Sequence, residues 1–143
     1  MNISNKSRYG LRAVVYLGIN YQKENVSLKE ISDKENISKR YLEQIFAELK
    51  KGGIINSTKG TKGGYFLTRK TSDITVKSII ELFEGNLEVV EKTDNYNIED
   101  LEYTIINKVW NKMSDALVEV IDNINIEDII NDYNSLSRSM FYI

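Results

Sequence analysis

Apolar residues recur at helical spacing near the start of the chain. Leu11, Val14, Val15 and Ile19, with Gly18 among them, share one face and predict a helix over roughly residues 3–22. "NVSLKEIS" then carries a helix start. Ser27 can cap it, Glu30 can reach back to complete a capping box, and Leu28 and Ile31 open the next apolar face. This second helix is short, because "DKENIS" brings polar, turn-tolerant residues after Ser32. Ser38 can cap a third helix that buries Leu42, Ile45 and Leu49 at spacings of three and four. Lys50 and Lys51 suit its negative end, and Gly52–Gly53 stop it.

Two β-prone runs follow, Ile54–Ile55 and Tyr65–Phe66–Leu67, around the glycine- and lysine-bearing tip "STKGTKGG", which predicts a hairpin. Thr75 can cap a fourth helix, "VKSIIELFE", closed at Gly85. Helix, short helix, helix, hairpin, helix is the order of a winged helix-turn-helix, with the helix-turn-helix between Ser27 and Lys51. Residues 86–97 lack a period and read as a loop. A long helix is expected from about Ile98 to Ile124, where Ile106, Trp110, Met113, Leu117, Val120 and Ile124 alternate spacings of four and three. Leu101, Ile105 and Val109 form an adjoining strip. Either both strips pack within one chain, or one packs on a second copy and makes those six residues a dimerisation seam. The expected fold class is mainly α with a small β-hairpin wing. A winged helix-turn-helix domain would span 1–85, a loop 86–97, and a dimerisation helix with a C-terminal tail 98–143.

Composition narrows the chemistry. The 143 residues include neither Cys nor His, so disulfides, thiolate nucleophiles, imidazole bases and the commonest transition-metal ligands are all missing. No catalytic residue, metal site or cofactor is expected, and for want of a nucleophile–base pair an enzyme is the poorest reading. "DNYNIEDLE" and "DNINIEDIIND" superficially look like calcium loops. Tyr96 and Ile98, or Ile124 and Ile126, stand where oxygen donors are required. Glu99–Asp100 and Glu127–Asp128 fit helix N-termini instead. No eighteen-residue apolar run or apolar leader is present, so no membrane association is expected and the expected compartment is the cytoplasm.

Net charge is -2, yet it is polarised. Residues 1–80 carry fifteen Lys and Arg against seven Asp and Glu, a balance of +8; residues 81–143 carry four against fourteen, a balance of -10. This predicts a cationic face for a polyanion, double-stranded DNA, with an acidic remainder held away. At the first turn of the third helix, Ser38, Lys39, Arg40, Tyr41 and Gln44 are the side chains that read or grip DNA: Arg can bond guanine, Gln adenine, Ser or Tyr a phosphate. At the wing, Lys59 and Lys62 can neutralise phosphate while Gly60, Gly63 and Gly64 permit close backbone approach, with Tyr65 at the exit. A flexible hairpin with solubilising lysines is the plainer alternative, and a P-loop is excluded because its motif is absent. Ser4, Lys6, Arg8, Tyr9 and Ser27 join the candidate DNA contacts. The chain ends "SRSMFYI", and Met140, Phe141, Tyr142 and Ile143 either dock on the dimer helices or offer an apolar tip to a partner's pocket.

The stretches "NKSRYGLRAVVYLG", "SLKEIS…ISKRYLEQIFAELKKGGII", "STKGTKGGYFL" and "ITVKSIIELFEG" resemble the Rrf family of bacterial winged-helix repressors over nearly the whole chain. That resemblance implies homodimers paired through the long C-terminal helix on palindromic operators. Cluster-bearing members carry three cysteines in the segment corresponding to Asn86–Asn97, where this chain has none. It is most similar to the members that repress cysteine metabolism, which implies sulfur-uptake and cysteine-synthesis genes as targets. Cysteine synthase (O-acetylserine thiol-lyase) would then be the co-regulator, engaged by the Met140–Ile143 tail. The family's wing usually has Arg where Lys59 stands, and Lys lacks the Arg fork, so no base-reading role carries over to it. Two rival expectations stand beside this one. One is a same-fold regulator with a small molecule between Phe83, the 86–97 loop and the long helix; the other is a non-DNA protein-docking adaptor.

Overall fold

The computed structural model describes residues 2–21, 25–91 and 95–141, and of Phe141 the backbone alone. Tyr142, Ile143 and the Phe141 side chain, part of the expected partner-binding tip, lie outside the described residues. The helix-turn-helix comprises α1 (Asn5–Ile19), α2 (Leu28–Glu35) and α3 (Lys39–Lys51). The expected caps form: the Ser27 hydroxyl accepts the Glu30 N–H at 3.0 Å, and that of Ser38 the Tyr41 N–H at 3.2 Å. The Glu30 carboxylate takes the Tyr16 hydroxyl at 2.8 Å. Burial and this carboxylate push the Tyr16 pKa up to about 12. Between α2 and α3, Asn36 adopts φ 53, a left-handed conformation that Asn tolerates, which lets Ile37 turn inward.

Strands β1 (Ile55–Thr58) and β2 (Gly64–Leu67) pair antiparallel, Ile55 opposite Leu67 and Thr58 opposite Gly64. Val26, just ahead of α2, adds a bridge to Tyr65: Val26 N–H donates to the Tyr65 carbonyl at 3.1 Å, and Tyr65 N–H to that of Val26 at 2.8 Å. The wing is thereby fastened to the helix-turn-helix. Thr75 caps α4 (Val76–Glu84), accepting the Ser78 N–H at 3.1 Å. Ala13, Val14, Leu17, Ile31, Leu42, Ile45, Phe46, Leu49, Ile55 and Ile79 make one core between these elements.

Beyond α4 the structure departs from expectation. The long helix starts at Leu101 rather than Ile98 and runs as α5 (Leu101–Ile105), a π-helical turn (Ile106–Trp110) and α6 (Asn111–Asp122), called the rod below. It stops two residues before Ile124. The remainder, expected to be a tail with a helix start at Glu127–Asp128, is a sixteen-residue helix, α7 (Ile126–Phe141). Its start is doubly capped: Asn125 N–H donates to the Asp128 carboxylate at 3.0 Å, and Asp128 N–H to the Asn125 side-chain carbonyl at 2.8 Å. Two bonds, Val76 N–H to the Ile124 carbonyl at 2.8 Å and Ile126 N–H to the Ile74 carbonyl at 3.0 Å, tie this corner to the start of α4.

Residues 1–85 therefore do not close their own core. Ile126 is fully buried within it, and Ile130 packs against α1 where Gly18 leaves space; a Cβ there would come within 2.8 Å of Ile130. Burying one Ile is worth about 1.5–3 kcal/mol, enough to hold the returning helix. A second apolar cluster of Val76, Ile80 and Ile121, with Leu11, Leu87, Ile124 and Ile129 against it, fixes the end of the rod to α4. Among the described residues, no helix is long and apolar enough to cross a membrane.

Candidate nucleic-acid interface

The phase of α3 sorts its residues. Leu42, Ile45, Phe46 and Leu49 are buried, which turns Ser38, Lys39, Arg40 and Gln44 outward to solvent. Tyr41 is half-buried with its ring edge against Tyr9, centroids 5.8 Å apart at 90°, and Arg12 lies over the Tyr9 ring at 5.6 Å. Tyr9 and Tyr41 are thus brought together as a bracket between α1 and α3. Ser27 and Ser38 are exposed, although both hydroxyls already accept helix-capping bonds.

The wing tip is built from backbone constraints. Gly60 has φ +109, which L side chains rarely adopt, and its carbonyl accepts the Gly63 N–H at 2.9 Å. A Cβ on Gly63 would collide with the Thr58 carbonyl, and one on Gly64 would lie 2.7 Å from that of Val26. Two of the three tip glycines are therefore required by packing within the chain itself. Asn25, unremarked in the sequence, ties the tip down: its amide donates to the Lys62 carbonyl at 3.1 Å, and its oxygen accepts the Thr58 hydroxyl at 2.9 Å. Lys50 donates to the Ser57 hydroxyl at 2.8 Å, joining the end of α3 to β1. Tyr65 stands edge-on to Phe46, centroids 4.7 Å apart, so its ring serves the junction of wing and α3.

Other candidates are engaged at home. Ser4 caps α1, accepting the Ser7 N–H, and its own N–H donates to the Glu84 carboxylate at 2.7 Å. The buried Ser7 hydroxyl donates to the same oxygen at 2.6 Å. The Ser7 and then the Ser4 bonds hold the Glu84 carboxyl below its ordinary 4.5. Lys6 pairs with Glu48 at 2.7 Å, and that bond and charge raise its pKa. Arg8 is exposed and reaches Asn5 at 3.5 Å. By contrast, Lys39, Arg40, Gln44, Lys59 and Lys62 are exposed, and among the described residues none of their side chains makes an ion pair or hydrogen bond.

The six residues of the expected seam divide. Met113 and Val120 are exposed at 45% and 59%, and Ile106, Trp110 and Leu117 are half-buried. Ile124 lies past the rod and packs into the second cluster of its own chain. Met140, near the end of α7, is 80% exposed. A cleft of about 370 Å³ lies between the 86–88 segment and α6, lined by Glu81, Leu87, Ser114, Asp115 and Val118. Phe83, expected to line a ligand site there, packs against Gly10 of α1 instead, at a position that a Cβ on that residue would occupy.

Comparison with known proteins adds to this geometry. The family model Rrf2, "Iron-dependent Transcriptional regulator", matches residues 3–132. The chain is 35% identical to the HTH-type transcriptional regulator CymR of Bacillus subtilis (strain 168), over the full length of both. The solved structure of CymR (YrzC), described as the global cysteine regulator of B. subtilis, superposes with a TM-score of 0.80 at 32% identity. That match covers 92% of this chain and 97% of the other. T. potens IscR gives 0.76 at 34% identity, over 93% and 88%. The iron in the family's description finds no fitting donors here. The chain has no Cys or His, and among the described residues no three carboxylates are grouped so as to hold a metal ion.

Proposed function

The chain belongs to the Rrf2 family of transcriptional regulators, and from that premise we propose that it is a cytoplasmic, homodimeric repressor of cysteine and sulfur metabolism genes that acts on palindromic operators. That it is a regulator of the Rrf2/CymR kind and not an enzyme follows from its relatives. The finer reading rests on one observation above the rest. The start of α3 and the tip of the wing present Lys39, Arg40, Gln44, Lys59 and Lys62 to solvent without side-chain partners among the described residues. Three other cations, Lys6, Arg12 and Lys77, are paired with Glu48, Glu35 and Glu81. Cations left unmatched on a face that a helix N-terminus shares suit a ligand bearing rows of phosphate.

In this reading, two copies pair along their rods and set their α3 helices into successive major grooves, about 34 Å apart. Arg40 and Gln44 read base edges; Lys39, Lys59 and Lys62 supply salt-dependent affinity. The co-regulator is cysteine synthase, which takes up the apolar C-terminal tip. Selection from randomised duplexes with the purified chain tests the DNA assignment, with an enriched palindrome expected. Arg40→Ala should relax preference at one base pair per half-site, costing about 1–3 kcal/mol there. No enriched site, or a profile identical for the two proteins, refutes it.

A further inference from the structure

The ladder of the wing ends before its charge begins. Thr58 opposite Gly64 is the last pair, and both tip lysines lie beyond it. From Lys59 to Gly63 the backbone is closed by a bond of its own, Gly63 N–H to the Gly60 carbonyl at 2.9 Å. Among the described residues, one side chain from outside the wing bonds to this tip, that of the half-buried Asn25. Its amide donates to the Lys62 carbonyl at 3.1 Å while its oxygen accepts the Thr58 hydroxyl at 2.9 Å. A carbonyl only accepts, so the amide nitrogen has to face Lys62 and the oxygen Thr58. A carboxylate could not replace it, because it would set acceptor against acceptor at Lys62. The chain then runs from Asn25 into Val26, bridged both ways to Tyr65, and into Ser27, the cap of α2.

We propose that Asn25 is a positioning residue for DNA binding. It acts through the Lys62 backbone and holds the wing tip at a fixed place relative to the helix-turn-helix, so that Lys62 and α3 meet one duplex together. The inference rests on the DNA-binding reading above and deepens it. A tip closed by its own single bond would have to be ordered on binding, and each residue fixed at that moment costs conformational entropy. Asn25 orders the tip beforehand. Its one amide is bonded to both limbs of the turn, Thr58 on the way in and Lys62 on the way out, and so resists hinging of the tip across the end of the ladder. The other end of this brace is firm, because Val26 is buried and Ser27 is fixed as a helix cap. Asn25 carries no charge. Removing its side chain therefore changes where a cation stands and not how many cations there are, which separates its role from that of Lys62 itself.

The test is a double-mutant cycle in the full chain, read as the slope of log K against log salt on one duplex from the enriched pool. Lys62→Ala should lower that slope by about 1 in the wild type and by less than half as much in Asn25→Ala. Asn25→Ala alone should weaken binding about threefold to tenfold, the worth of one or two hydrogen bonds. It should leave the enriched sequence unchanged, because α3 is untouched. Thr58→Val removes the hydroxyl that Asn25 accepts and should reproduce the loss in part; Thr58→Ser keeps the hydroxyl and should not. If Lys62→Ala lowers the slope equally with and without Asn25, the side chain does not position the tip, and this proposal falls while the DNA reading stands. A changed sequence preference in Asn25→Ala overturns it as well, since the effect would then run through α3. If Lys62→Ala leaves the wild-type slope unchanged, the phosphate role of the wing fails and this inference with it.

Discussion

Replacing Gly64 by Ala tests whether the wing is held by backbone contact rather than left loose. The new Cβ would lie 2.7 Å from the Val26 carbonyl oxygen and 2.9 Å from its carbon. Both neighbours are backbone, so β2 must move away from the Val26 segment by several tenths of an ångström. Opening that bridge loses two hydrogen bonds, those of 3.1 and 2.8 Å, at about 1 kcal/mol each. Displacing Tyr65 from Phe46 forfeits about 0.5–1.5 kcal/mol more. A stiffer unfolded chain returns about 0.4–1 kcal/mol. The net loss is about 2 kcal/mol, which for a chain of this length lowers Tm by roughly 4–8 °C. Hydrogen exchange should report the same event locally, with faster exchange at the Val26 and Tyr65 amides than at those of α1. Lys62→Ala is the control, because its carbonyl still accepts from Asn25 and its exposed side chain bonds nothing; it should leave the melt unchanged. An unchanged Tm together with full protection of both amides in Gly64→Ala would refute the account of the wing.

Two further outcomes follow from charge. Lys59→Ala and Lys62→Ala should weaken binding to all duplexes alike and reduce the slope of log K against log salt by about 1 each; a sequence-selective loss in gel-shift titrations would contradict the phosphate role. Glu84 has its folded pKa depressed below 4.5, so its stabilising contribution is complete above 4.5 and fades as pH falls through the lower, folded value. Glu84→Gln should therefore flatten the acid limb of a stability–pH curve below pH 4.5, and identical limbs for both proteins would exclude the Ser4–Ser7–Glu84 contact.

The winged helix-turn-helix was legible because each of its elements is announced locally. Ser27, Ser38 and Thr75 stand directly before helical apolar periods, and each proves to be the cap. The glycines around Lys59 and Lys62 marked the turn of the hairpin. What could not be read were bonds between residues distant in sequence: Asn25 on the wing, Val26 on β2, Ser7 on Glu84 across 77 positions. For α7 the helix start was legible at Glu127–Asp128, but its sixteen-residue length and its packing through Ile126, Ile129 and Ile130 were not. At the same corner the buried Ile126, some forty residues past residue 85, joins the core of the preceding elements, a contact too distant in sequence to be read.

The polarity of charge along the chain now divides into separate tasks. Lys6, Arg12 and Lys77 are matched by Glu48, Glu35 and Glu81, whereas Lys39, Arg40, Lys59 and Lys62 on α3 and the wing have no ion pair among the described residues. The surplus of ten negative charges in residues 81–143 acts in the same sense, because phosphate approaching the rod or α7 is repelled. On the DNA-binding reading proposed above, this one imbalance orients the duplex toward α3 and the wing.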